Sequence, residues 1–369
     1  MLRVLHIARS TSPAANAKAA AMARQADLSL SLVRPLDPDA PSRDQAPYAS
    51  VHLVRCWRRR DPHRGLFRTL TFGMRAVSPH IIHAEEEPDS LAALHVAVAR
   101  RVAAPFARLV LHTWQNVNRP KGRAVRTVLR VALGAADAVL CASPAAAALV
   151  REHGFHGPNP VVLQAGFDPD IFRPRAPERT APTFTVGYAG RLAPEKGLDT
   201  LVAAFARLDP PAVLALAGTG PMRQGLERQA AHAGLGDRVR FLGALQPERV
   251  ARFLGGIDVL VLPSRRTTVW AEQFGRVLAE AMACGTPVIG SRSGEIPAVI
   301  GNAGLLFPEG DVDALAARLH EYRDSPPLRA RCSELGLQRA RAHYAAPVLA
   351  EQTASVYRDL AATTGAGTR

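Results

Sequence analysis

Short apolar runs alternate with longer segments of helical period along most of the chain. In the first half the runs Arg3–Ala8, Leu28–Val33, Ser50–Val54, His80–His83, Leu109–Thr113, Ala138–Cys141 and Val161–Gln164 read as strands. Between them, helices are predicted near Asn16–Ala26, Arg64–Ala76, Leu91–Ala103, Arg123–Leu133 and Pro144–His153. Strand and helix alternating at this spacing predict a parallel sheet with helices on both faces. After a polar, proline-rich stretch, Arg173–Pro182, the alternation resumes with Phe184–Tyr188, Val213–Ala217, Val239–Leu242, Ile257–Leu262, Val288-Ile289 and Gly304–Phe307. Helices are expected over Gly275–Cys284, Val312–His320 and Arg339–Ala362. The expected architecture is α/β, with domains at 1–172 and 173–345 and a helical tail at 346–369.

Composition changes this picture little. A length of 369 residues suits two domains. No apolar run approaches the roughly 20 residues that span a bilayer, and the N-terminal stretch, interrupted by His6 and Arg9, reads as a first strand rather than a leader. Cys56, Cys141, Cys284 and Cys332 are scattered without metal spacing, which fits a reduced, cytoplasmic protein. The net charge of +14 raises the question of a polyanion partner. Almost all the basic residues are Arg, however, with only Lys18, Lys121 and Lys196 as lysines, so the bias reads as compositional. Apart from Trp57 the arginines lack interleaved aromatics, which argues against nucleic acid.

One run concentrates the candidate chemistry: Pro263 to Ser291, PSRRTTVWAEQFGRVLAEAMACGTPVIGS. Glu272 falls in a loop at the carboxyl end of a strand, where open α/β sheets bind ligands. Gly275 opens a helix whose free N–H groups suit phosphate or sugar oxygens. Glu280, further along that helix, is placed for a vicinal diol such as a ribose, or is simply a solvated helix position. Gly285 and Pro287 stop the helix. Upstream, Gly190-Arg191-Leu192-Ala193-Pro194-Glu195-Lys196-Gly197 brackets a helix start with two cations. These suit a nucleotide diphosphate, or are two surface charges. Gly218-Thr219-Gly220-Pro221 reads as a structural turn. Three D-x-D triplets, at Asp37, Asp168 and Asp311, read as loop, linker and helix cap, so no metal site is expected.

E-x7-E with FGxV inside and EAMAxGxPVIGS after it, together with GRLxPEKG, resembles the donor site of the family 4 retaining glycosyltransferases, which have the GT-B fold. Val162–Pro174 is similar to that family's interdomain segment. The resemblance implies two Rossmann-like domains facing across a cleft, the first binding acceptor and the second donor, with the C-terminal helix crossing back. It implies catalytic roles for Glu272, Arg191 and Lys196, the carboxylate on the transferred sugar and the cations on the diphosphate. Gly190, Phe274, Gly275, Arg276, Val277 and Glu280 would complete the donor site, with Glu280 on the ribose. The donor would be a UDP-, GDP- or ADP-sugar, with no further cofactor, and the route a front-face displacement. A sugar-nucleotide epimerase or phosphorylase of the same fold is the alternative, and a non-enzymatic polyanion-binding protein a more distant one.

The first half departs from the family pattern. Its first βα loop, Arg9–Pro13, lacks glycine, leaving hydroxyls such as that of Ser10 as donors, and the segment at His112–Asn116 holds Trp114 or Gln115 where the family often has histidine. Ser10, Glu86, His112 and Gln115 are the acceptor-side candidates. Glu85–Glu87 read either as acceptor recognition or as acids at a helix start. Arg55–Arg75 reads either as an interfacial helix contacting anionic membrane, with Arg64, Arg68 and Arg75 on one face, or as a core helix with a solvated basic face.

Overall fold

Strands buried on both faces give apolar runs, and here such runs pair in parallel into two separate sheets. The computed structural model describes residues 1–36, 47–58, 61, 63–175 and 183–365. The chain divides into two units, Met1–Ala165 with Ala346–Arg369, and Gly166–Ala345. Gly166–Phe172, read from sequence as the close of the first half, thus group with the second unit.

In the first unit the strands are β1 (Leu2–Ala8), β2 (Leu28–Pro35), β3 (Ser50–Val54), β4 (Cys56–Trp57), β5 (Leu66–Phe67), β6 (Ile81–Glu85), β7 (Arg108–Thr113) and β8 (Ala138–Cys141). The main sheet has the order β3-β2-β1-β6-β7-β8, and β4 and β5 form a separate antiparallel ribbon. Its central pairing sets His6 opposite His83. One face packs Leu5, Ile7, Ile82, Leu109 and Leu111 against helices; the other packs Val4, Leu30, Ile81 and Val110 with Met22 and Tyr357. Tyr357 belongs to the helix Ala346–Gly365, which lies on the helix Pro13–Ala23. The tail is therefore part of the first unit.

In the second unit β9 (Phe184–Ala189), β10 (Ala212–Ala217), β11 (Val239–Gly243), β12 (Val259–Leu262), β13 (Val288–Ser291) and β14 (Gly304–Phe307) form a sheet of order β11-β10-β9-β12-β13-β14. Both orders reverse direction once, between β1 and β6 and between β9 and β12. Ligands of doubly wound sheets bind at such a switch point, beyond the carboxyl ends of the strands.

Three expected elements differ. The predicted helix Arg64–Ala76 is a helix only over Leu70–Val77. Asp61 accepts the amides of His63 and Arg64 on its side chain and that of Gly65 on its carbonyl, so a turn replaces the first helical turn. Arg64 and Arg68 are off the helix, and Phe67, Leu70 and Met74 are core, so the one-faced interfacial helix does not form. Arg59, Arg60 and Pro62 of that basic run lie outside the described residues, as do Asp37 and Asp39. The single helix expected over Arg339–Ala362 is two, Pro326–His343 and Ala346–Gly365. Tyr344 caps the first, and its carbonyl accepts the amide of Phe167. Val161–Gln164 forms a single bridge, Cys141 to Val161, rather than a strand. No helix among the described residues is long and apolar enough to cross a membrane.

Candidate active site

The loops that follow β9 and β12 meet at the second switch point and enclose a cavity of about 500 Å³. Its lining includes Gly190, Arg191, Lys196, Glu272, Gly275, Arg276, Val277 and Glu280. After β9 the chain passes Arg191 into the short 3-10 turn Pro194–Lys196 and on to the helix Leu198–Phe205. Gly197 sits at φ +63°, and a Cβ there would fall 2.1 Å from the Pro263 carbonyl oxygen. Only glycine lets the Lys196 turn lie flat on the start of the β12 loop.

That contact sets the central pair. Lys196 Nζ donates to Glu272 Oε2 at 2.6 Å, and Ser264 Oγ donates to the same oxygen at 2.7 Å. Lys196 Nζ also lies 4.8 Å from the Trp270 ring centre. The Glu272 carbonyl accepts the amide of Glu295, tying the residue to the loop after β13. Arg191 extends into solvent and pairs with Glu195 at 2.6 Å, while its carbonyl accepts the hydroxyl of Tyr188 at 2.7 Å. Burial holds that phenol neutral by raising its pKa.

Gly275, at φ +71°, is the N-cap of the helix Arg276–Ala283. A Cβ there would meet Leu262 at 2.8 Å, so the helix start packs directly on the end of β12. One turn later Glu280 accepts from Arg276 Nε at 3.1 Å. Burial raises the Glu280 pKa, against the opposing pull of Arg276. Phe274 is the exception among the donor-side candidates: it is not in the cavity lining, and its ring packs edge-on against Tyr344, 5.3 Å between centres. At the other end of the cavity Ala217, Gly218, Thr219, Ala244, Leu245 and Val250 give an apolar, backbone-rich wall. This arrangement can hold a dianionic group between Arg191 and Lys196, a polyol at Glu272, a diol at Glu280 and a flat ring at Leu245.

The acceptor-side candidates lie in the first unit, and most are committed to each other. Arg9 grips Glu86 through Nε, at 2.6 Å, and Nη2. Glu85 pairs with His6 at 3.2 Å; burial works to raise its pKa, and the interaction with His6 outweighs that and holds it well down, while burial lowers the pKa of His6. Glu87 accepts from the Thr113 hydroxyl and the amides of Trp114 and Gln115, and burial pushes its pKa up to about 8. Gln115 Nε2 donates to both oxygens of Asp89. Ser10 Oγ bonds Ser12, which caps the helix Pro13–Ala23. His112 is wholly buried, its Nε2 on the Val162 carbonyl at 3.0 Å, so it is a structural group of the sheet and not a surface ligand. Sequence reasoning passed over Ser264, Trp270 and Tyr188; Trp270 stands inside the quoted run, but nothing in its spacing points to Lys196.

Among the described residues no cluster of three or more His, Cys, Asp or Glu is arranged to hold a metal ion. Asp168 accepts the amide of Asp170, and Asp311 caps the helix Val312–Asp324. A cavity of about 660 Å³ at the amino ends of the first sheet's central strands, lined by Leu2, Arg3, Pro79, His80 and Phe106 among others, contains no carboxylate.

Two parallel six-stranded sheets, each reversing its strand order once, define a fold of the GT-B class. Residues 172–339, within the second unit, match the glycosyl transferases group 1 family. The chain is 35% identical over 233 residues to 2-deoxystreptamine N-acetyl-D-glucosaminyltransferase of Streptomyces fradiae, covering 60% of this chain and 48% of that one. It is 32% identical over 249 residues to D-inositol 3-phosphate glycosyltransferase of Streptomyces avermitilis, covering 61% and 52%. The chain thus spans about half the length of these relatives. The crystal structure of Anabaena HepE in complex with UDP has the same fold, with a TM-score of 0.76 at 21% identity over 97% of this chain and 100% of that one.

Proposed function

We propose that the protein is a retaining glycosyltransferase that moves a sugar from a nucleoside-diphosphate sugar to an acceptor hydroxyl. The observation that carries this reading is the convergence of Arg191, Lys196, Glu272 and Glu280 on one cavity at the second unit's switch point. Arg191 and Lys196 take the diphosphate, Glu280 the ribose hydroxyls, Glu272 the hydroxyls of the sugar, and the wall at Leu245 the base. In a front-face displacement the acceptor oxygen bonds to the anomeric carbon on the side from which the diphosphate departs. The leaving diphosphate keeps the electron pair of the broken C–O bond and accepts the acceptor's proton. Arg191 and Lys196 meet the charge that develops there, and fixed charges of this kind act most strongly as the bond breaks.

A thermal-shift panel of UDP-, GDP- and ADP-sugars tests the donor, with product anomers read by NMR. Stabilisation by one donor class and a retained anomer are expected; stabilisation by none overturns the reading, and conversion of the sugar without an acceptor moves it to an epimerase. The two relatives are named for free cyclitol acceptors, 2-deoxystreptamine and D-inositol 3-phosphate. A small polyol, a glycan and a lipid-linked precursor all remain acceptor classes for this chain.

A cytoplasmic protein with a peripheral membrane contact is part of the proposal, on a specific feature of the first unit. Between the ribbon β4–β5 and the helix Leu91–Ala103 runs an apolar groove lined by Trp57, Leu66, Leu94 and Val98. Exposed Arg55, Arg58, Arg64 and Arg68 lie along this segment, and Arg58 stacks on Trp57 at 4.5 Å. Apolar surface with a cationic rim suits anionic lipid. Co-sedimentation with phosphatidylglycerol vesicles, lost in high salt and in Trp57→Ala, is expected; equal binding to phosphatidylcholine, or none, removes the contact.

A further inference from the structure

Ser264 and Trp270 have no part in the roles above, yet both touch the pair on which those roles depend. Ser264 is fully buried, and its carbonyl accepts the hydroxyl of Ser291, so its Oγ is fixed from the neighbouring strand. Trp270 closes a tight loop, its carbonyl accepting the amide of Thr267 at 2.8 Å. Two residues upstream of that amide, Arg265 donates its own amide to the Glu195 carbonyl at 2.8 Å, which joins the Trp270 loop to the Lys196 turn. Lys196 and Glu272 are themselves nearly closed off, with side chains 14% and 10% exposed.

An ammonium and a carboxylate so placed neutralise each other, and neither leaves the other without a substitute, because an unpaired charge in such a place is costly. Each also has a neutral second support, the indole face for the ammonium and the Ser264 hydroxyl for the carboxylate. Resting on the donor-site reading, we propose that Ser264 and Trp270 are positioning residues for the Lys196–Glu272 pair, and that the two halves of the donor draw that pair apart. The diphosphate draws the ammonium across the indole, and the sugar hydroxyls replace it on the carboxylate, which Ser264 keeps in place. A nucleoside diphosphate supplies the first exchange alone; a sugar nucleotide supplies both. A nucleoside monophosphate lacks the second phosphate that reaches Lys196.

Trp270 is the second unit's only tryptophan, the others being Trp57 and Trp114. Fluorescence of the Trp57→Phe/Trp114→Phe protein therefore reads its contact with Lys196. Without nucleotide, Lys196→Met is expected to change the emission; unchanged emission shows that the ammonium does not rest on the indole and overturns the proposal. UDP, GDP and ADP are then compared with UMP, GMP and AMP, with calorimetry measuring binding separately. Emission is expected to move with a bound diphosphate and not with a bound monophosphate. A diphosphate that binds by calorimetry and leaves emission unchanged overturns the proposal, whereas absence of all nucleotide binding overturns the donor reading beneath it. With the donor found in the panel, Ser264→Ala should lower kcat about 10-fold with donor KM within about 2-fold, the size of one charge-assisted hydrogen bond. Trp270→Phe should keep most of kcat/KM, and Trp270→Leu should lose about 5-fold, the worth of one cation–π contact. Equal loss in Phe and Leu variants makes Trp270 a packing residue only.

Discussion

Replacing Gly197 by alanine perturbs the candidate site without removing any charged group. The new Cβ would lie 2.1 Å from the Pro263 carbonyl oxygen and 3.2 Å from Arg265 Nε. A carbon and an oxygen not bonded to each other need roughly 3.2 Å, so the Lys196 turn has to lift by about 1 Å. The residue would also keep φ near +63°, which costs an alanine about 1–2 kcal/mol. With the displaced backbone contacts the total is about 2–4 kcal/mol. The unit that carries it runs from Gly166 to Ala345, a size at which each kcal/mol moves Tm by about 2–4 °C. A fall of about 5–10 °C in the melting of that unit is therefore expected by calorimetry. The 2.6 Å contact of Lys196 with Glu272 cannot survive such a lift, so affinity for whichever of UDP, GDP or ADP binds should fall about 10-fold. Gly197→Asn separates the two causes, since asparagine tolerates positive φ but brings the same Cβ. Rescue by asparagine refutes the steric argument, and a Gly197→Ala protein with unchanged Tm and affinity refutes both.

Glu280→Ala should weaken nucleotide binding, whereas Glu272→Gln should mainly lower turnover with nucleotide still bound; wild-type affinity in Glu280→Ala removes the ribose assignment. Arg191→Ala and Lys196→Ala should each slow transfer by about 100-fold, and near-normal rates in both remove the diphosphate role. Activity should survive EDTA, and complete loss restored by Mg²⁺ or Mn²⁺ shows that a carboxylate pair here holds a cation. Burial takes the His112 pKa down to about 3 from 6.5, so the unfolded chain binds the extra proton between those values. Its contribution to stability is full above pH 6.5 and falls as pH drops, by about 2 kcal/mol at pH 5. Urea midpoints at pH 7 and pH 5 should therefore differ less in His112→Gln than in wild type; the opposing slope of Glu87, raised to about 8, is common to both and cancels.

The sheets were legible because a parallel strand buried on both faces reads as an apolar run bounded by loop residues, whatever lies beside it. Val259–Leu262 and Val288–Ser291 are of this kind, wholly buried in the structure. Periodicity failed where a local side chain competes with the helix. Leu66, Phe67, Leu70 and Met74 fit a helical stripe, yet the Asp61 turn diverts the first two into a two-residue strand. The stripe's burial is real, but its geometry is that of a ribbon followed by a short helix. In the same way Arg339–Ala362 has helical composition throughout, and the break at Tyr344 follows from a bond to Phe167, far away in sequence.

Site residues divide by the same reasoning. Strand ends and helix starts position a side chain from its immediate neighbours, so Lys196, Glu272, Gly275 and Glu280 could be read as cavity-facing from local spacing. What each touches is set by long-range packing, and spacing does not report it. Lys196 and Glu272 are separated by 76 positions in the chain and meet because β9 and β12 are neighbours in the sheet. The first unit shows the consequence more sharply. Glu85, Glu86 and Glu87 are consecutive and look alike in sequence, but alternation along the strand end sends them to different partners, His6, Arg9 and Thr113. His112 is wholly buried, as are Leu111 and Thr113 on either side of it, because the strand is covered on both faces. A run of three carboxylates is thus three separate electrostatic environments: Glu85 has its pKa held down by His6, while Glu86 and Glu87 have theirs raised by burial. This end of the sheet therefore carries two compensated carboxylates, Glu85 and Glu86, and one held by neutral donors, Glu87, rather than a negative patch.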